Sequence, residues 1–303
     1  MEISLTILGN NSATPTKLRN PSGQYLHCGS DHFLIDCSEG IQQRMLKYAI
    51  NFQKIGYIFI SHLHGDHFLG LPGLLNTMSL NNRTKKLIIV SPIGLKSIHD
   101  TLSQISESHF PYEIEFIELI PEKEVTLQTT EFMVQMIPVS HRLPCFSFLF
   151  NQKKEERKLN IEACMRYQIP IQEYKNIKAG ADFQVNKCLI VSNSELTLPP
   201  TPKASYGYIT DTFYRPDLAE KFKGTTALYH EATYLHNFLD RAKATHHSTA
   251  LEAGQFATKA SVNQLIIGHF SARYDDLTEL LDEAKTVFAN TNLAIEGETF
   301  VFG

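Results

Sequence analysis

Three histidines and one aspartate stand within six residues, in the pattern H-x-H-x-D-H from His62 to His67. Imidazole nitrogens and carboxylate oxygens are both good zinc ligands. The apolar run 57–60 precedes the motif and is typical of a buried strand, so the first two histidines can point the same way. Gly65 permits a tight turn, after which Asp66 and His67 can face a second ion. The motif therefore predicts a metal site rather than three structural histidines.

Three further candidate ligands each follow an apolar, strand-like run. They are His141 after residues 134–139, Asp211 after residues 206–209, and His269 after residues 265–267. In α/β folds, ligands bind beyond the carboxyl ends of strands, so we expect these side chains to converge on the motif. Asp211 is the candidate bridge, because one carboxylate can give an oxygen to each of two metal ions.

A carboxylate–imidazole pair is the candidate proton donor. Glu231 follows the apolar run 227–229, and His247 precedes a predicted helix that Ser248 or Thr249 would cap. Glu231 would orient and charge the ring, and His247 would protonate a leaving oxygen. We interpret His246 as an exposed neighbour, and the other histidines as structural: His27, His32, His99, His109, His230 and His236.

The composition is that of an ordinary, slightly acidic globular protein of 303 residues, with 13 histidines and a formal net charge of −4. The charge excludes a uniformly basic surface and leaves room for local basic patches. The first residues form a short alternating strand pattern without a basic n-region, and the chain lacks a long apolar run. The five cysteines form no C-x-x-C pair. We therefore expect a cytoplasmic protein with reduced thiols and no membrane contact.

The elements that must position these residues alternate between strands and helices in both halves of the chain. This pattern predicts an α/β fold with two mixed sheets and helices on the outside. Strands are predicted at 3–8, 23–28, 32–36, 57–60, 87–90, 112–120, 125–128, 131–139, 145–150, 187–191, 206–210, 225–230, 264–268 and 292–295. Helices are predicted at 39–49, 68–80, 94–104, 216–222, 247–260 and 276–289.

The segment 151–187 differs from the rest of the chain in charge. It holds eight basic and five acidic residues, a net charge of +3, against −7 for the remainder. A connection of this length inside a compact domain is usually functional or disordered. Its composition is compatible with a solvated surface loop or with a functional arm.

Taken together, these residues resemble the metallo-β-lactamase superfamily and, more closely, the short form of the ribonuclease Z (tRNase Z) family. The resemblance covers nearly the whole chain and includes residues 34–40, Ser140-His141 and 208–212 beside the metal motif. Its most specific blocks are the opening loop 9–22, His230-Glu231-Ala232-Thr233, and residues 268–274, which read Gly-His-Phe-Ser-Ala-Arg-Tyr.

The resemblance implies one metallo-β-lactamase domain over 1–303, an αβ/βα sandwich, with 151–187 as an inserted flexible arm. It implies two Zn²⁺ ions per subunit, although other divalent ions suit the same ligands. One ion would be held by His62, His64, His141 and Asp211, and the other by Asp66, His67, Asp211 and His269. Asp66 would also be the general base, and Asp36 would orient a ligand histidine.

The resemblance further implies an endoribonuclease that cleaves precursor tRNA after the discriminator nucleotide and leaves a 3′ hydroxyl on the tRNA. The arm would grip the tRNA elbow, usually that of the partner subunit in a homodimer. Residues Thr16 to Asn20 would meet the tRNA 3′ end. Local positive charge is needed because phosphate contacts dominate RNA affinity. The candidate substrate contacts are therefore Thr16, Lys17, Arg19, Asn20 and Arg273.

Two other functions fit parts of this pattern. Another hydrolase of the same fold, such as a small-molecule phosphodiesterase or a thioester or lactam hydrolase, would keep the metal ligands without needing the opening loop or the basic arm. A non-catalytic tRNA-binding protein would keep the arm and have lost turnover. The intact set of predicted ligands favours an enzyme.

Overall fold

The computed structural model describes residues 2–153, 157–185, 189–198 and 203–303. These residues form two compact units. The larger unit contains residues up to 151 and from 204 onward, and the smaller unit lies between residues 152 and 203. No helix within the described ranges is long and apolar enough to cross a membrane.

The first sheet of the larger unit combines antiparallel and parallel pairing. Its described strands are β1 (Ile3–Gly9), β2 (Gly23–Cys28), β3 (Asp31–Cys37), β4 (Tyr57–Phe59), β5 (Leu87–Pro92), β6 (Ile114–Leu119) and β16 (Thr299–Phe302), in the spatial order β16-β1-β2-β3-β4-β5-β6. Strands β16 to β3 pair antiparallel, and β3 to β6 pair parallel. The carboxyl ends of β3 and β4 therefore meet at one edge, where Asp36 and the H-x-H-x-D-H motif stand.

The second sheet repeats this mixture. Its described strands are β7 (Val125–Gln128), β8 (Phe132–Val139), β9 (Cys145–Gln152), β12 (Ser205–Ile209), β13 (Ala227–Glu231), β14 (Gln264–Gly268) and β15 (Thr291–Leu293), in the order β15-β14-β13-β12-β9-β8-β7. Strands β12 to β15 are parallel to one another. Their carboxyl ends bring Asp211, Glu231 and His269 to a common edge.

Helices cover the outer faces of both sheets. In the larger unit they are α1 (Ile41–Lys47), α2 (Gly65–Phe68), α3 (Leu71–Leu80), α4 (Leu95–Ile105), α8 (Leu239–Thr245), α9 (Ala250–Ala260) and α10 (Thr278–Lys285). Short 3-10 turns occupy Phe52–Lys54, Pro216–Phe222 and His236–Phe238.

The buried apolar residues form three layers that match this architecture. Side chains of both sheets meet in the central layer, which includes Phe33, Phe59, Phe148 and Tyr206. A second layer packs α9 and α10 on the second sheet, and a third packs α1 and α3 on the first sheet. Burial of this apolar area on both sides of two sheets supplies the main driving force for the fold. The predicted sandwich of two mixed sheets with outer helices is confirmed.

Some element boundaries differ from the predictions. Residues 216–222 form a 3-10 rather than an α-helix. The predicted helix 68–80 corresponds to α3, which begins at Leu71 and is divided from the short helix α2 that ends at Phe68. The division occurs where the Gly70 amide donates to the Cys37 carbonyl, and a side chain at Gly70 would collide with Ser38. The strand β16 and the helix α8 were not predicted. Strand β16 has only four residues and is paired only by a distant partner, β1.

The smaller unit has its own elements and its own small core. They are α5 (Ile161–Arg166), α6 (Tyr174–Lys178), α7 (Asn193–Leu196), β10 (Phe183–Val185) and β11 (Leu189–Val191), with a 3-10 turn at Ile171–Glu173. The core side chains include Cys164, Ile169, Ile177 and Leu196. The unit extends further along the chain than the predicted arm 151–187. Part of that arm, and the start of the predicted strand 187–191, lies outside the described residues: Lys154, Glu155, Glu156, Asn186, Lys187 and Cys188.

Candidate metal centre and active site

The first cluster joins two residues of the H-x-H-x-D-H motif to the ends of β8 and β12. Nδ1 of His64 lies 2.9 Å from Nε2 of His62 and 3.2 Å from Nε2 of His141. Oδ1 of Asp211 lies 3.7 Å and 3.8 Å from the same two Nε2 atoms. One ligand atom from each of the four residues falls within 4.8 Å of all the others. Four such atoms facing one point suit a tetrahedral metal ion.

The second cluster contains Asp66, His67 and His269. Oδ2 of Asp66 lies 3.4 Å from Nε2 of His67 and 3.8 Å from Nε2 of His269. Oδ2 of Asp211 lies 3.2 Å from both of these ring nitrogens. The two oxygens of Asp211 therefore face different clusters, which is the geometry a bridging carboxylate requires.

Three of the strand-end residues have left-handed backbone. The φ angles of Asp36, Asp211 and His269 are 57°, 44° and 58°. Such angles cost free energy in residues other than glycine and concentrate at functional sites. At these positions the chain turns sharply as the strand ends, which allows the side chain to reach the site.

Most of the clustered histidines are held through the ring nitrogen that does not face a cluster. The held atoms are Nδ1 of His62 at 3.1 Å from Ser61 Oγ, Nδ1 of His67 at 2.7 Å from Asp36 Oδ2, Nδ1 of His141 at 3.2 Å from the His246 carbonyl, and Nδ1 of His269 at 3.1 Å from Thr233 Oγ1. Partners of this kind fix the ring orientation and the tautomer of metal-binding histidines.

Two observations test whether a metal fits these residues. Nε2 of His67 and of His269 is buried and forms no hydrogen bond with any described residue, although Asp211 Oδ2 lies 3.2 Å from each of them. A buried polar atom without a partner is costly, and a metal ion would satisfy both atoms. Burial also lowers the pKa of His62 and His64, and it lowers the pKa of His141 to about 4. Neutral imidazole is the metal-binding form, so the donor set fits metal ions.

Asp36 is the centre of a buried hydrogen-bond network. Its Oδ1 accepts from the Ser61 amide at 2.8 Å, and its Oδ2 accepts from the Ser61 hydroxyl at 3.0 Å and the Tyr208 hydroxyl at 2.6 Å. The contact with His67 completes the network. Burial lowers the pKa of His67, but the neighbouring carboxylates Asp36, Asp66 and Asp211 raise it well above its usual value. A proton on His67 therefore competes with a metal ion.

Glu231 and His247 are in contact. Nδ1 of His247 lies 3.2 Å and 3.1 Å from the two oxygens of Glu231, which also accept from the Thr212 amide at 2.6 Å and the Thr233 hydroxyl at 2.5 Å. Burial lowers the pKa of His247, but the Glu231 carboxylate outweighs it and raises that pKa to about 9. Thr249 caps α9 with a capping box shared with Glu252, which fixes the chain two residues after His247.

His246 departs from its interpretation as an exposed neighbour. The residue is half-buried, its ring lies 4.3 Å from the Phe213 ring, and its carbonyl contacts His141. Its φ of 60° ends α8 and turns that carbonyl toward the site. No sequence pattern indicates this role, because the contact comes from the backbone and not from the imidazole.

The predicted substrate contacts in the opening loop differ in exposure. Lys17 is exposed and Thr16 half-buried, with Thr16 Oγ1 accepting from the Arg19 amide at 2.9 Å. Arg19 is only 7% exposed, and its guanidinium donates to Asn11 Oδ1 at 3.0 Å and to the Ser271 carbonyl at 3.3 Å. The position of Arg19 is that of a loop anchor rather than of a cation facing solvent.

Two more predicted contacts have partners within the protein. Asn20 donates from Nδ2 to Glu296 Oε2 at 2.8 Å, which holds the end of the loop. The exposed Arg273 guanidinium lies over the rings of Tyr234 and Phe238, at 5.1 Å and 4.7 Å from their centres. Cation–π contacts of this kind hold a guanidinium in place without neutralising it.

A cavity of about 390 Å³ opens beside the first cluster. His64, Asp66, Asp211 and His247 line it, together with parts of the opening loop and Arg142. The loop also reaches the clusters directly, because the Ala13 amide donates to Asp66 Oδ2 at 2.8 Å. The sequence reasoning missed Arg142, although the residue stands immediately after the candidate ligand His141.

Comparisons with known proteins agree with this geometry. A family model described as anti-Pycsar protein Apyc1 matches residues 3–155. The chain is similar to Ribonuclease Z of Bacteroides thetaiotaomicron, with 41% identity over 97% of this chain and 94% of that protein, and to Ribonuclease Z of Cytophaga hutchinsonii, with 39% identity over 99% and 96%. Human tRNase Z, short form, superposes with a TM-score of 0.70 at 23% identity over 98% of each chain. The metallo-β-lactamase fold protein YhfI from Bacillus subtilis superposes with a TM-score of 0.69 at 17% identity over 100% of each chain. The fold is therefore the metallo-β-lactamase fold.

Proposed function

The chain belongs to the ribonuclease Z family, and we propose that it removes the 3′ trailer from precursor tRNA by hydrolysing the phosphodiester after the discriminator nucleotide. About half of it, residues 3–155, also belongs to the family described as anti-Pycsar protein Apyc1. The ribonuclease Z relatives match nearly the full chain, which includes Glu231, His247 and His269. The endoribonuclease assignment therefore takes precedence.

The division of the Asp211 oxygens between two clusters is the observation that most supports this function. It supports two metal ions, one held by His62, His64, His141 and Asp211, the other by Asp66, His67, Asp211 and His269. Zinc suits these nitrogen and carboxylate donors, and other divalent ions would also fit. Two such ions would activate a water molecule and neutralise charge on the phosphate.

The protein's own residues would handle the protons. Asp66 is placed to accept a proton from the attacking water, and the Ala13 amide on its Oδ2 fixes the carboxylate. His247 faces Glu231 through Nδ1, so its Nε2 would hold a proton for the departing 3′ oxygen. The water oxygen bonds to phosphorus, and the bond from phosphorus to the 3′ oxygen breaks. The tRNA then carries a 3′ hydroxyl and the trailer a 5′ phosphate.

Contacts with the rest of the tRNA would come from exposed basic residues. Lys17 at the loop tip is one, and the smaller unit supplies Arg166 and Lys175. This unit folds around its own core, which supports its assignment as the arm that grips the tRNA. Deleting residues 152–203 should weaken tRNA cleavage far more than hydrolysis of bis(p-nitrophenyl) phosphate, measured as kcat/KM. Equal losses on both substrates would count against the arm.

We also propose a cytoplasmic homodimer. The exposed apolar side chains of α4, Ile98, Leu102 and Ile105, are 36%, 44% and 76% exposed, and such a stripe is typical of a contact surface. The described cysteines, Cys28, Cys37, Cys145 and Cys164, are buried, and the thiols of Cys37, Cys145 and Cys164 are free, as expected in a reducing compartment. Sedimentation of the wild type and of a Leu102→Glu variant would test the dimer, because a charge at this position should favour the monomer.

One experiment separates the candidate functions. The metal-loaded protein is incubated with a tRNA that carries a 3′ trailer, and the ends are mapped. Cleavage next to the discriminator supports the proposed function. Turnover of small phosphodiesters alone would indicate the small-molecule phosphodiesterase, and metal binding without hydrolysis would indicate a non-catalytic tRNA-binding protein.

A further inference from the structure

The cavity beside the clusters is lined by acidic groups. Glu39, Asp66 and Asp211 all contribute to its wall. A phosphodiester entering this cavity meets like charges, so at least one cationic side chain should face it in addition to the metal ions. Among the described residues that line the cavity, only Arg142 has a lysine or arginine side chain.

Arg142 is available for a ligand. The residue is exposed, and within the described ranges no hydrogen bond or ion pair engages its guanidinium. Its position is nevertheless fixed from one side, because the preceding residue, His141, is held by the His246 carbonyl at 3.2 Å. Its charge is close enough to His64 to contribute to the lowered pKa of that ring.

The other arginines near the site are already engaged. The Arg19 guanidinium is buried against Asn11 and Ser271, and the Arg273 guanidinium lies over two aromatic rings. The two arginines that the sequence indicated as substrate contacts thus hold parts of the protein. Arg142 is the arginine at the cavity that can reorient toward a ligand.

We propose that Arg142 binds a backbone phosphate of the RNA strand beside the scissile bond. The inference rests on the proposed function and adds a substrate contact to it. The planar guanidinium can donate two parallel hydrogen bonds to the non-bridging oxygens of one phosphate. Such a contact positions the strand whatever its sequence.

The test compares Arg142→Ala, Arg142→Lys and the wild type on a precursor tRNA. The control is Lys96→Ala, which removes a positive charge on α4 that is paired with Asp100 and lies outside this cavity. Arg142→Ala should raise KM roughly tenfold and reduce the slope of log(kcat/KM) against log salt concentration by about 1. Arg142→Lys should keep the salt slope and recover part of the affinity, and Lys96→Ala should match the wild type. Metal content should stay unchanged in all three variants.

Two outcomes would overturn the proposal. One is an Arg142→Ala enzyme with wild-type KM and salt slope. The other is a loss of bound metal with a fall in kcat alone, which would mean that Arg142 only supports the ligand His141. If the wild type failed to cleave precursor tRNA, the proposed function would be wrong. The proposal on Arg142 would then be decided by binding of a short single-stranded RNA, and equal affinity of the wild type and Arg142→Ala would overturn it.

Discussion

The metal clusters and the surface beside them, here called the rim and made up of Arg142 and the opening loop 9–22, are built in opposite ways. In the clusters, the side chains of His62, Asp211 and Asp66 are 0%, 4% and 12% exposed, and nearly every ring has a fixed partner. At the rim, Leu18 is 75% exposed, and Lys17 and Arg142 face solvent. Charges at the rim are screened by water and salt, whereas buried ones act at nearly full strength. Changes in the clusters should therefore affect turnover, and changes at the rim should affect affinity.

The sharpest test of this contrast is His64→Ala. The variant loses a ring nitrogen that lies within 3.2 Å of both His62 and His141, so the first cluster keeps three ligands. We expect cleavage of precursor tRNA to fall to background and the metal content of the purified protein to fall with it. The matched control is His109→Ala on the surface, which should keep both. Full turnover by His64→Ala, or by metal-stripped wild type, would refute the metal centre.

The second largest effect is expected for His247→Ala. Removing a general acid usually lowers a rate by about 10²- to 10⁴-fold. Because His247 would act through a proton and not as one of the assigned ligands, the metal content should stay at the wild-type level. Single-turnover cleavage rates and metal analysis of the same samples would check both expectations. Loss of metal in this variant would show that His247 is a ligand instead.

The same histidine predicts a pH dependence with a definite sign. Since Glu231 raises the pKa of His247 to about 9, the ring is protonated at neutral pH and loses its proton as the pH rises through that value. In metal-free protein, NMR should show this ring titrating near 9, and in Glu231→Gln at a lower pH. A ring that titrates near its usual value in the wild type would remove the basis for its role as an acid.

Much of the buried metal centre could be predicted from the sequence. Ligands such as His141 and His269 stand directly after apolar runs, and strand ends are readable from local pattern. The partners of those ligands were harder to find. Tyr208 and Thr233 stand in blocks that the sequence singled out, but no role as a partner was assigned to them. They reach Asp36 and His269 only because the sheets bring distant segments together.

The rim could be predicted less well, because exposure is a property of the folded protein. Arg19 and Lys17 stand two residues apart and have similar charge, yet one is buried and the other is exposed. Nothing in their local sequence distinguishes them. The inward position of Arg19 depends on its bonds to Asn11 Oδ1 and to the Ser271 carbonyl, and Ser271 lies 252 residues further along the chain.

Asp36→Asn should have a smaller effect than the loss of a ligand or of the acid. Asparagine keeps the size of the side chain but removes the charge that stabilises the contact with His67 at 2.7 Å. Partners of metal-binding histidines typically contribute about 10- to 100-fold in metal affinity or activity. Competition with a chelator would measure the affinity. Asp31→Asn is a control, because Asp31 is also buried but accepts from Thr129 and Glu131.

The smallest effects are expected in the opening loop, where Lys17→Ala and Arg19→Ala should differ in kind. Lys17 is exposed, so its loss should raise KM for tRNA only a fewfold and reduce the salt slope by about 1. Arg19→Ala leaves Asn11 Oδ1 without its donor, whereas the Ser271 carbonyl keeps the Tyr274 amide at 3.2 Å. The loss should lower the free energy of unfolding by about 1–3 kcal/mol. The loop would also hold Asp66 less firmly, so kcat should fall. Kinetics and urea unfolding of both variants would distinguish a loop anchor from a substrate contact. If Arg19→Ala changed only KM and the salt slope and left the stability unchanged, Arg19 would be a substrate contact.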